Sequence, residues 1–343
     1  MSVLLVDWLG RGGIAQTSEA WAIELSKARI KIDVITRAGR ELGAGVVKVE
    51  GAAGGRGRIG AHRSVVNAAA AAVRERRPEV VVVQNYVLPF LERPLYSAAA
   101  SVGARVVVVI HDHRLHSVFA GTRVGLRHQL QRADDVVVHT EFVAAAVSRF
   151  APGASVKVIP LPVQVGVLAH HGPERPIFEV PDGDRLAVHF GILKRRYKGT
   201  QVVLDAAEAG VDGWSFAVMG VGAPPSGAVL SAPGFLDPGA LRSTVEQSSA
   251  TLLPYRIASQ SGAVVLAQAL GSVPVASAVG GLPEQISDGE TGRLLPAGAP
   301  ATAWRNALRD MDEPTRMAMA ERARAHAWAE HGAFVDAIVA LCR

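Results

Sequence analysis

Four cations lie within five consecutive positions in the run KRRYK, residues 194–198. The run follows the apolar segment RLAVHFG, residues 185–191, and precedes a helical pattern, so it stands at the carboxyl end of a predicted buried strand. Like charges this close repel one another unless an anion neutralises them. Arg can bind a diphosphate through two nitrogens and Lys adds a point charge, so we expect a diphosphate here. A solvated turn is the alternative interpretation.

A polar turn opens an apolar helix at Ser261-Gly262, and a Gly280-Gly281 loop follows one strand later. A helix N-terminus presents backbone N–H groups and the positive end of the helix dipole, which together favour an anion. With the cationic run, two strand ends of the same predicted sheet therefore face one phosphate-sized ligand.

The N-terminal loop G-R-G-G-I-A, residues 10–15, fits the dinucleotide-binding pattern G-x-G-x-x-A in form. Two residues separate it from the first strand, however, and Asp33 lies in the middle of the second strand rather than at its end. These spacings argue against NAD. The loop is expected to offer N–H groups to a phosphate or a polar substrate, with a plain tight turn as the alternative.

Histidines cluster at His111-Asp112-His113 and His116. Imidazoles suit zinc, but this spacing at a strand-to-loop junction matches no familiar ligand set, so a polar loop lining a cleft is the favoured interpretation and no metal is predicted. The pair His170-His171, in a predicted linker, is expected to have no chemical role.

Short apolar runs alternate with Ala-rich helical patterns along nearly the whole chain, which is typical of parallel sheets wound with helices on both faces. The predicted strands of the first half are residues 2–7, 31–36, 79–85, 104–112 and 134–140, with helical stretches between them such as 14–28, 61–76 and 141–149. A Pro-interrupted stretch at 160–184 reads as a linker. Strands at 185–191, 214–220, 250–255 and 273–277 and helices at 200–210, 238–248 and 261–271 then predict a second domain of the same kind, and the last 40 residues predict two helices.

Composition sets the broad class of protein. The chain has 343 residues, 49% hydrophobic and 20% charged, which predicts two globular domains. One cysteine, Cys342, excludes an intrachain disulfide or a cysteine-based metal site. No apolar run approaches the roughly 18 residues that span a bilayer, and the N-terminus lacks the features of a signal peptide. We expect a cytoplasmic protein.

Charge is unevenly distributed. Residues 1–165 hold 21 Lys and Arg against 13 Asp and Glu, and residues 166–343 hold 15 against 18. The basic half includes a cluster around the helix at 61–76, formed by Arg56, Arg58, Arg63, Arg74, Arg76 and Arg77. Peripheral contact with an anionic membrane is one interpretation, and a solvated helix face is the other. Only six of the 36 basic residues are Lys, so the Arg excess is not taken as a sign of nucleic-acid binding.

In the order and spacing of its motifs the chain resembles the family 4 retaining glycosyltransferases, over nearly its whole length. The matching motifs are Gly12-Gly13, Lys198-Gly199 after Phe190-Gly191, Gly220 and Gly222, Gly234-Phe235-Leu236, Pro254-Tyr255, Gln260-Ser261-Gly262, Gly280-Gly281-Leu282-Pro283-Glu284, Asp288-Gly289 and Thr291-Gly292.

The resemblance implies the α/β GT-B fold, with two Rossmann-like, doubly wound parallel-sheet domains facing across a cleft. The N-terminal domain, residues 1–165, would bind the acceptor, and the C-terminal domain, residues 166–329, would bind a nucleoside-diphosphate sugar. A final helix at about 330–343 would pack back on the first domain.

The resemblance also assigns roles to residues. Lys198 and either Arg195 or Arg196 would neutralise the donor diphosphate, and His111 would reach the donor sugar. The other expected donor-binding residues are Gly12, Gly13, Gly234, Phe235, Leu236, Tyr255, Ser259, Gln260, Ser261, Gly262, Ala263 and Glu284.

The sequence differs from the family's motifs in two places, and these differences affect which residues can be assigned to the donor sugar, the ribose and the phosphate. The family commonly carries Glu-x7-Glu, but the aligned positions are Ser259 and Ala267. Gln260 or Ser259 is expected to bond the sugar instead, and the ribose contact has no assigned residue. The usual Gly-Arg dipeptide reads Gly191-Ile192, so which arginine serves the phosphate stays open.

The expected activity is therefore retaining, metal-independent transfer of a sugar from a nucleoside diphosphate to a hydroxyl acceptor, namely a saccharide, a lipid-linked sugar or a natural product. No cofactor is expected beyond the nucleotide-sugar substrate. The alternatives are a nucleotide-sugar epimerase of the same fold, which would need an acid/base set, and a sugar-nucleotide-binding protein without turnover.

Overall fold

The computed structural model describes residues 1–10, 12–37, 49–52, 57–84, 88–112, 120–169, 175–194, 196–225 and 227–343. The chain divides into two compact units. Unit 1 comprises Met1–Gly166 and His331–Arg343, and unit 2 comprises Val167–Glu330. Each unit contains one parallel sheet.

Unit 1 has a seven-stranded sheet in the order β3-β2-β1-β4-β5-β6-β7. The strands are β1 (Ser2–Asp7), β2 (Lys31–Arg37), β3 (Val49–Ala52), β4 (Val80–Gln84), β5 (Arg105–Val109), β6 (Asp135–Val138) and β7 (Val156–Val158). Every pairing is parallel. Strand β4 is buried at all five positions, as a strand covered on both faces must be.

The helices of unit 1 are α1 (Gly12–Lys27), α2 (Gly57–Arg76), α3 (Pro89–Val102), α4 (Ala120–Arg132) and α5 (Glu141–Phe150), and the short α6 (Val165–Leu168) follows at the boundary of the units. The final 13 residues of the chain also pack in unit 1. There Phe334 meets Trp21 of α1 edge to face at 6.0 Å, and Arg105 donates a hydrogen bond to the Leu341 carbonyl. Aromatic packing of this kind stabilises beyond the area it buries.

Unit 2 has a six-stranded parallel sheet in the order β10-β9-β8-β11-β12-β13. The strands are β8 (Arg185–Ile192), β9 (Trp214–Val221), β10 (Leu230–Pro233), β11 (Ala250–Leu253), β12 (Val273–Ser277) and β13 (Arg293–Leu295). A three-residue 3-10 turn (Arg196–Lys198) precedes α7 (Thr200–Glu208); the other helices are α8 (Pro238–Gln247), α9 (Gly262–Leu270), α10 (Leu282–Gln285) and α11 (Ala301–Arg309). Helix α12 (Glu313–Cys342) begins in unit 2, and its residues from His331 onward belong to unit 1.

Both sheets follow the Rossmann strand order, in which the chain returns after its third strand from one edge to the middle of the sheet and then continues toward the other edge. The first and fourth strands of each sheet are therefore neighbours: β1 and β4 in unit 1, β8 and β11 in unit 2. Ligands of such sheets bind outside the carboxyl ends of these strands. The predicted pair of parallel, doubly wound sheets is confirmed.

Candidate functional site

The cationic turn of unit 2 contacts the loop that follows the neighbouring strand β11. The Lys198 ammonium nitrogen lies 3.9 Å from the centroid of the Tyr255 ring, which is 2% exposed. The Arg256 backbone N–H donates to the Tyr197 carbonyl oxygen at 2.7 Å, which ties the loop to the turn. Within the described ranges no carboxylate pairs with Lys198. A half-buried ammonium supported by an aromatic face is suited to receive an anion.

Gly199 lets the turn approach β11 closely. Its φ is 69°, in the left-handed region that favours glycine. A Cβ at this position would lie 1.8 Å from the Pro254 carbonyl oxygen. This close approach explains the Lys-Gly pair: Lys198 can lie at the carboxyl ends of β8 and β11 because the next residue has no side chain.

His189 connects β8 to the start of α7. The buried ring donates its Nδ1–H to the Leu252 carbonyl oxygen at 2.8 Å, so Nε2, 3.1 Å from Thr200 Oγ1, accepts from that hydroxyl. Burial lowers the pKa of His189 to about 4, against the opposing effect of the Leu252 hydrogen bond, and the Lys198 charge lowers it further. His189 is therefore neutral at physiological pH.

We expect unit 2 to lose stability in acid because of His189. The folded pKa of about 4 lies below the ordinary value of 6.5. The unfolded state therefore binds the extra proton first as the pH falls, so the contribution is complete above pH 6.5 and is lost between pH 6.5 and 4. The contribution of His189 to the free energy of unfolding is on the order of 3 kcal/mol. The measurement is the free energy of unfolding from urea denaturation between pH 4 and 8. His189→Asn should weaken the dependence of this free energy on pH. An equal pH dependence in the two proteins would contradict the prediction.

The N-terminus of α9 is held by two glutamines. Ser261 caps the helix, with its Oγ accepting from the Val264 N–H. The Gln285 amide bonds the Ser261 backbone twice, accepting from its N–H at 2.8 Å and donating to its carbonyl at 3.4 Å. Gln268 in turn donates to the Gln285 carbonyl at 2.9 Å. The first turn of α9, with Gly262 and Ala263, is thereby fixed, and the positive end of the helix dipole lies there. No sequence signal pointed to Gln268 or Gln285.

Ser259 and Gln260 lie on the loop that leads into this helix, Ser259 buried and Gln260 half-buried. Ala267, at the position where the family carries its second glutamate, is fully buried in α9. The helix core at that position is therefore apolar, and any ribose contact must come from another residue.

The remaining predicted site residues of unit 2 lie in other segments. Gly234 follows β10 with a φ of 109°, Phe235 is 84% exposed, and Leu236 packs against the apolar core. Glu284 lies in α10, exposed, beside Gln285. Arg196 is exposed in the 3-10 turn, whereas Arg195 lies outside the described residues.

The glycine loop of unit 1 is anchored by a residue that sequence reasoning missed. The Asp7 carboxylate, at the end of β1, accepts from the Leu9 and Gly10 N–H groups at 2.9 and 2.8 Å and from Ser18 Oγ at 3.0 Å. Burial raises the pKa of Asp7, against the effect of these hydrogen bonds. The loop leads to exposed Gly12 and Gly13 at the start of α1.

His111 follows β5, half-buried, with its Nε2 2.8 Å from Gln84 Oε1 and its ring 5.0 Å from that of His139. His113 and His116, the other members of the predicted cluster, lie outside the described residues, as do His170 and His171. Within the described ranges, no group of three or more His, Cys, Asp or Glu side chains is arranged to hold a metal.

The predicted basic cluster lies largely along α2. Val65, Val66, Ala69 and Val73 bury the apolar side of this helix in the core of unit 1, which leaves a polar outer side carrying Arg63 and Arg74. Arg76 pairs with Asp33 at 3.2 Å and Arg77 is exposed. Arg56 and the side chain of Arg58 lie outside the described residues. No helix in the described part of the chain has the length and apolar character needed to span a bilayer.

Comparison with known proteins adds a family match to this geometry. Residues 184–312 match the family described as "Glycosyl transferases group 1", so the match covers both the cationic turn and the α9 N-terminus. A segment of 63 residues, 18% of this chain, is 46% identical to D-inositol 3-phosphate glycosyltransferase from Corynebacterium aurimucosum. That alignment spans only 15% of the relative's length.

Solved structures match over the whole chain. Sucrose-phosphate synthase from Thermosynechococcus elongatus superposes with a TM-score of 0.77 at 16% identity, covering 99% of this chain and 98% of the other. Anabaena HepE, in complex with UDP and glucose, gives 0.74 at 16% identity and covers 99% of each chain. At these identities the likeness shows the fold, and the predicted GT-B fold class is confirmed. The family match and the fold together support a glycosyltransferase enzyme.

Proposed function

We propose that this chain is a retaining glycosyltransferase that moves a sugar from a nucleoside diphosphate to a hydroxyl acceptor without a bound metal or other cofactor. The observation that carries the proposal is the position of Lys198, held over the Tyr255 ring at the carboxyl ends of β8 and β11 within the matched family region. Ligands of Rossmann sheets bind at such strand ends.

The site chemistry fits a departing diphosphate. When the bond between the anomeric carbon and the phosphate oxygen breaks, its electron pair stays on the diphosphate. The Lys198 ammonium and the positive N-terminal end of the α9 helix dipole would stabilise that charge, at about 3–4 kcal/mol for a strong donor. Transfer with retention follows if the acceptor attacks from the face that the phosphate leaves and passes its hydroxyl proton to the departing phosphate oxygen.

Two findings on similar proteins bear on the substrates. Anabaena HepE has been solved in complex with UDP and glucose and with UDP-glucose, and the relative from Corynebacterium aurimucosum is named as a glycosyltransferase. These support a nucleotide-sugar donor and make UDP the first nucleotide to test. An acceptor with a sugar hydroxyl is the corresponding proposal for the second substrate.

The proposal predicts a selective thermal shift. The chain is heated with UDP, GDP, ADP, TDP or NAD, first in EDTA and then with magnesium. We expect one nucleoside diphosphate to stabilise the fold with or without metal, by about 3 kcal/mol at a hundredfold excess over Kd. Lys198→Ala should reduce the shift, and Lys194→Ala, which removes an exposed lysine at the start of the same turn, should keep it.

Other results would contradict this proposal in distinct ways. A shift with NAD alone would favour a dehydrogenase, and a shift that requires magnesium would contradict metal independence. Nucleotide binding without sugar transfer to any hydroxyl acceptor would favour a sugar-nucleotide-binding protein.

A further inference from the structure

Tyr255 lies beneath the ammonium group of Lys198 and is buried. The ammonium nitrogen is 3.9 Å from the ring centroid, and Tyr255 is 2% exposed. The residue belongs to a buried apolar cluster that includes Leu253, Val264 and Ile286. The resemblance placed Tyr255 among the donor-binding residues, but a side chain buried in this way acts on a ligand through the lysine above it.

Residues on both sides of the ring contact residues on both sides of the lysine. Before the lysine, the Tyr197 carbonyl oxygen accepts from the Arg256 N–H at 2.7 Å. After it, Gly199 lies so close to the Pro254 carbonyl oxygen that no Cβ would fit between them. Arg256 and Pro254 are the two chain neighbours of Tyr255. The turn and the loop are therefore held in one register, in which the lysine and the ring face each other.

The ring supports the lysine without neutralising it. The face of an aromatic ring carries partial negative charge and attracts an ammonium, but the ring brings no formal charge of its own. The positive charge of Lys198 is thus retained for an anionic ligand. A lysine side chain is flexible, and an ammonium that is held in place before the ligand binds need not be ordered during the reaction.

We propose that Tyr255 is a positioning residue, whose ring holds the Lys198 ammonium by a cation–π contact where an anionic ligand of unit 2 binds. The ring carries this role and the hydroxyl does not, because the buried hydroxyl has no hydrogen-bond partner among the described residues. The part of the inference that concerns sugar transfer rests on the function proposed above. The contact between ring and ammonium stands on the geometry of unit 2 alone.

NMR of the full-length chain, with 13C-labelled lysines and free of nucleotide, measures the contact directly. The chain has only six lysines, and Lys198→Arg identifies the signals of Lys198. Aromatic ring currents move the signals of protons above a ring face upfield. We therefore expect the Cε protons of Lys198 to lie upfield of those of Lys194, which is exposed. The same chemical shift for these two lysines in the unsubstituted chain would overturn the proposal.

Two substitutions of Tyr255 separate the ring from the hydroxyl. Tyr255→Leu keeps an apolar side chain without the ring, and we expect it to abolish the upfield shift and to lower kcat for sugar transfer about tenfold. The KM for the donor should change less, because the charge on the departing diphosphate develops in the transition state. Tyr255→Phe should restore both the shift and most of the turnover. If Tyr255→Leu does not fold, Tyr255→Phe still decides: loss of the upfield shift in this folded variant would refute the role of the ring.

Trp214→Leu is the matched control, because Trp214 is a second buried ring of unit 2 with a cation over its face. The Arg185 guanidinium carbon lies 4.3 Å from its centroid, where β8 and β9 begin and thus at the end of the sheet opposite to Lys198. This substitution should leave the Lys198 shift and kcat unchanged. An equal loss of kcat in folded Trp214→Leu and Tyr255→Leu would overturn the positioning role. Absence of transfer in the unsubstituted chain would refute the proposed function, whereas the NMR shift would still test the contact.

Discussion

Lys198→Ala is expected to lower kcat for sugar transfer about 100- to 1,000-fold, which is the effect of removing one strong donor from a developing oxyanion. The reason is that Lys198 has no carboxylate partner among the described residues and is held by the Tyr255 ring, so its charge is available to the departing diphosphate. The measurement is the rate of nucleoside diphosphate release at saturating donor and acceptor.

Lys194→Ala is the control for this substitution. Lys194 is exposed at the start of the same turn, and its loss changes the net charge by the same amount without removing the contact to Tyr255. We expect turnover close to that of the unsubstituted chain. If Lys198→Ala retained kcat within a few-fold, with the fold intact, leaving-group stabilisation by Lys198 would be wrong.

Gly199→Ala is expected to destabilise unit 2 by about 3 kcal/mol or more, because strain and a steric clash act together. The residue has a φ of 69°, and the new Cβ would lie 1.8 Å from the Pro254 carbonyl oxygen. That oxygen belongs to the backbone at the end of β11, so relief of the clash requires the turn and the strand end to separate. The urea midpoint of unit 2 measures the loss.

Gly210→Ala separates the two causes. Its φ is 68°, nearly the same as that of Gly199, but apart from its chain neighbours no atom of the described residues lies within 4 Å of the Cβ position. The substitution therefore carries only the conformational cost, about 1–2 kcal/mol. Equal destabilisation by the two substitutions would show that the approach to Pro254 is not needed for stability.

Helices and strands with a clear sequence pattern were predicted, whereas those without such a pattern were not. The five apolar strands predicted in the first half and the four in the second all form, because Val-rich runs buried on both faces have a distinct pattern. Strands β3, β7, β10 and β13 are the edge strands of the two sheets, and their three or four residues do not form a continuous apolar run. Helix α3 was not among the helical patterns named from the sequence, and it carries Pro94 in its interior, a residue that normally indicates a helix end.

Parts of the candidate site followed from sequence alone. The cationic run, the glycine of the Lys198-Gly199 pair and the cap at Ser261 were recognisable because each combines residue types with a local position, after a strand or before a helix. The same local rules predicted two doubly wound sheets and a phosphate-sized anion at the strand ends of unit 2.

Only the tertiary structure decided which groups support these residues. Tyr255 lies under Lys198, Pro254 approaches Gly199, Gln285 fixes Ser261, and Gln84 bonds His111. Each partner comes from another strand or loop, and its contact depends on which strands are neighbours in the sheet and in which register. Strand order arises from packing of the whole domain, so no pattern within a local segment contains it.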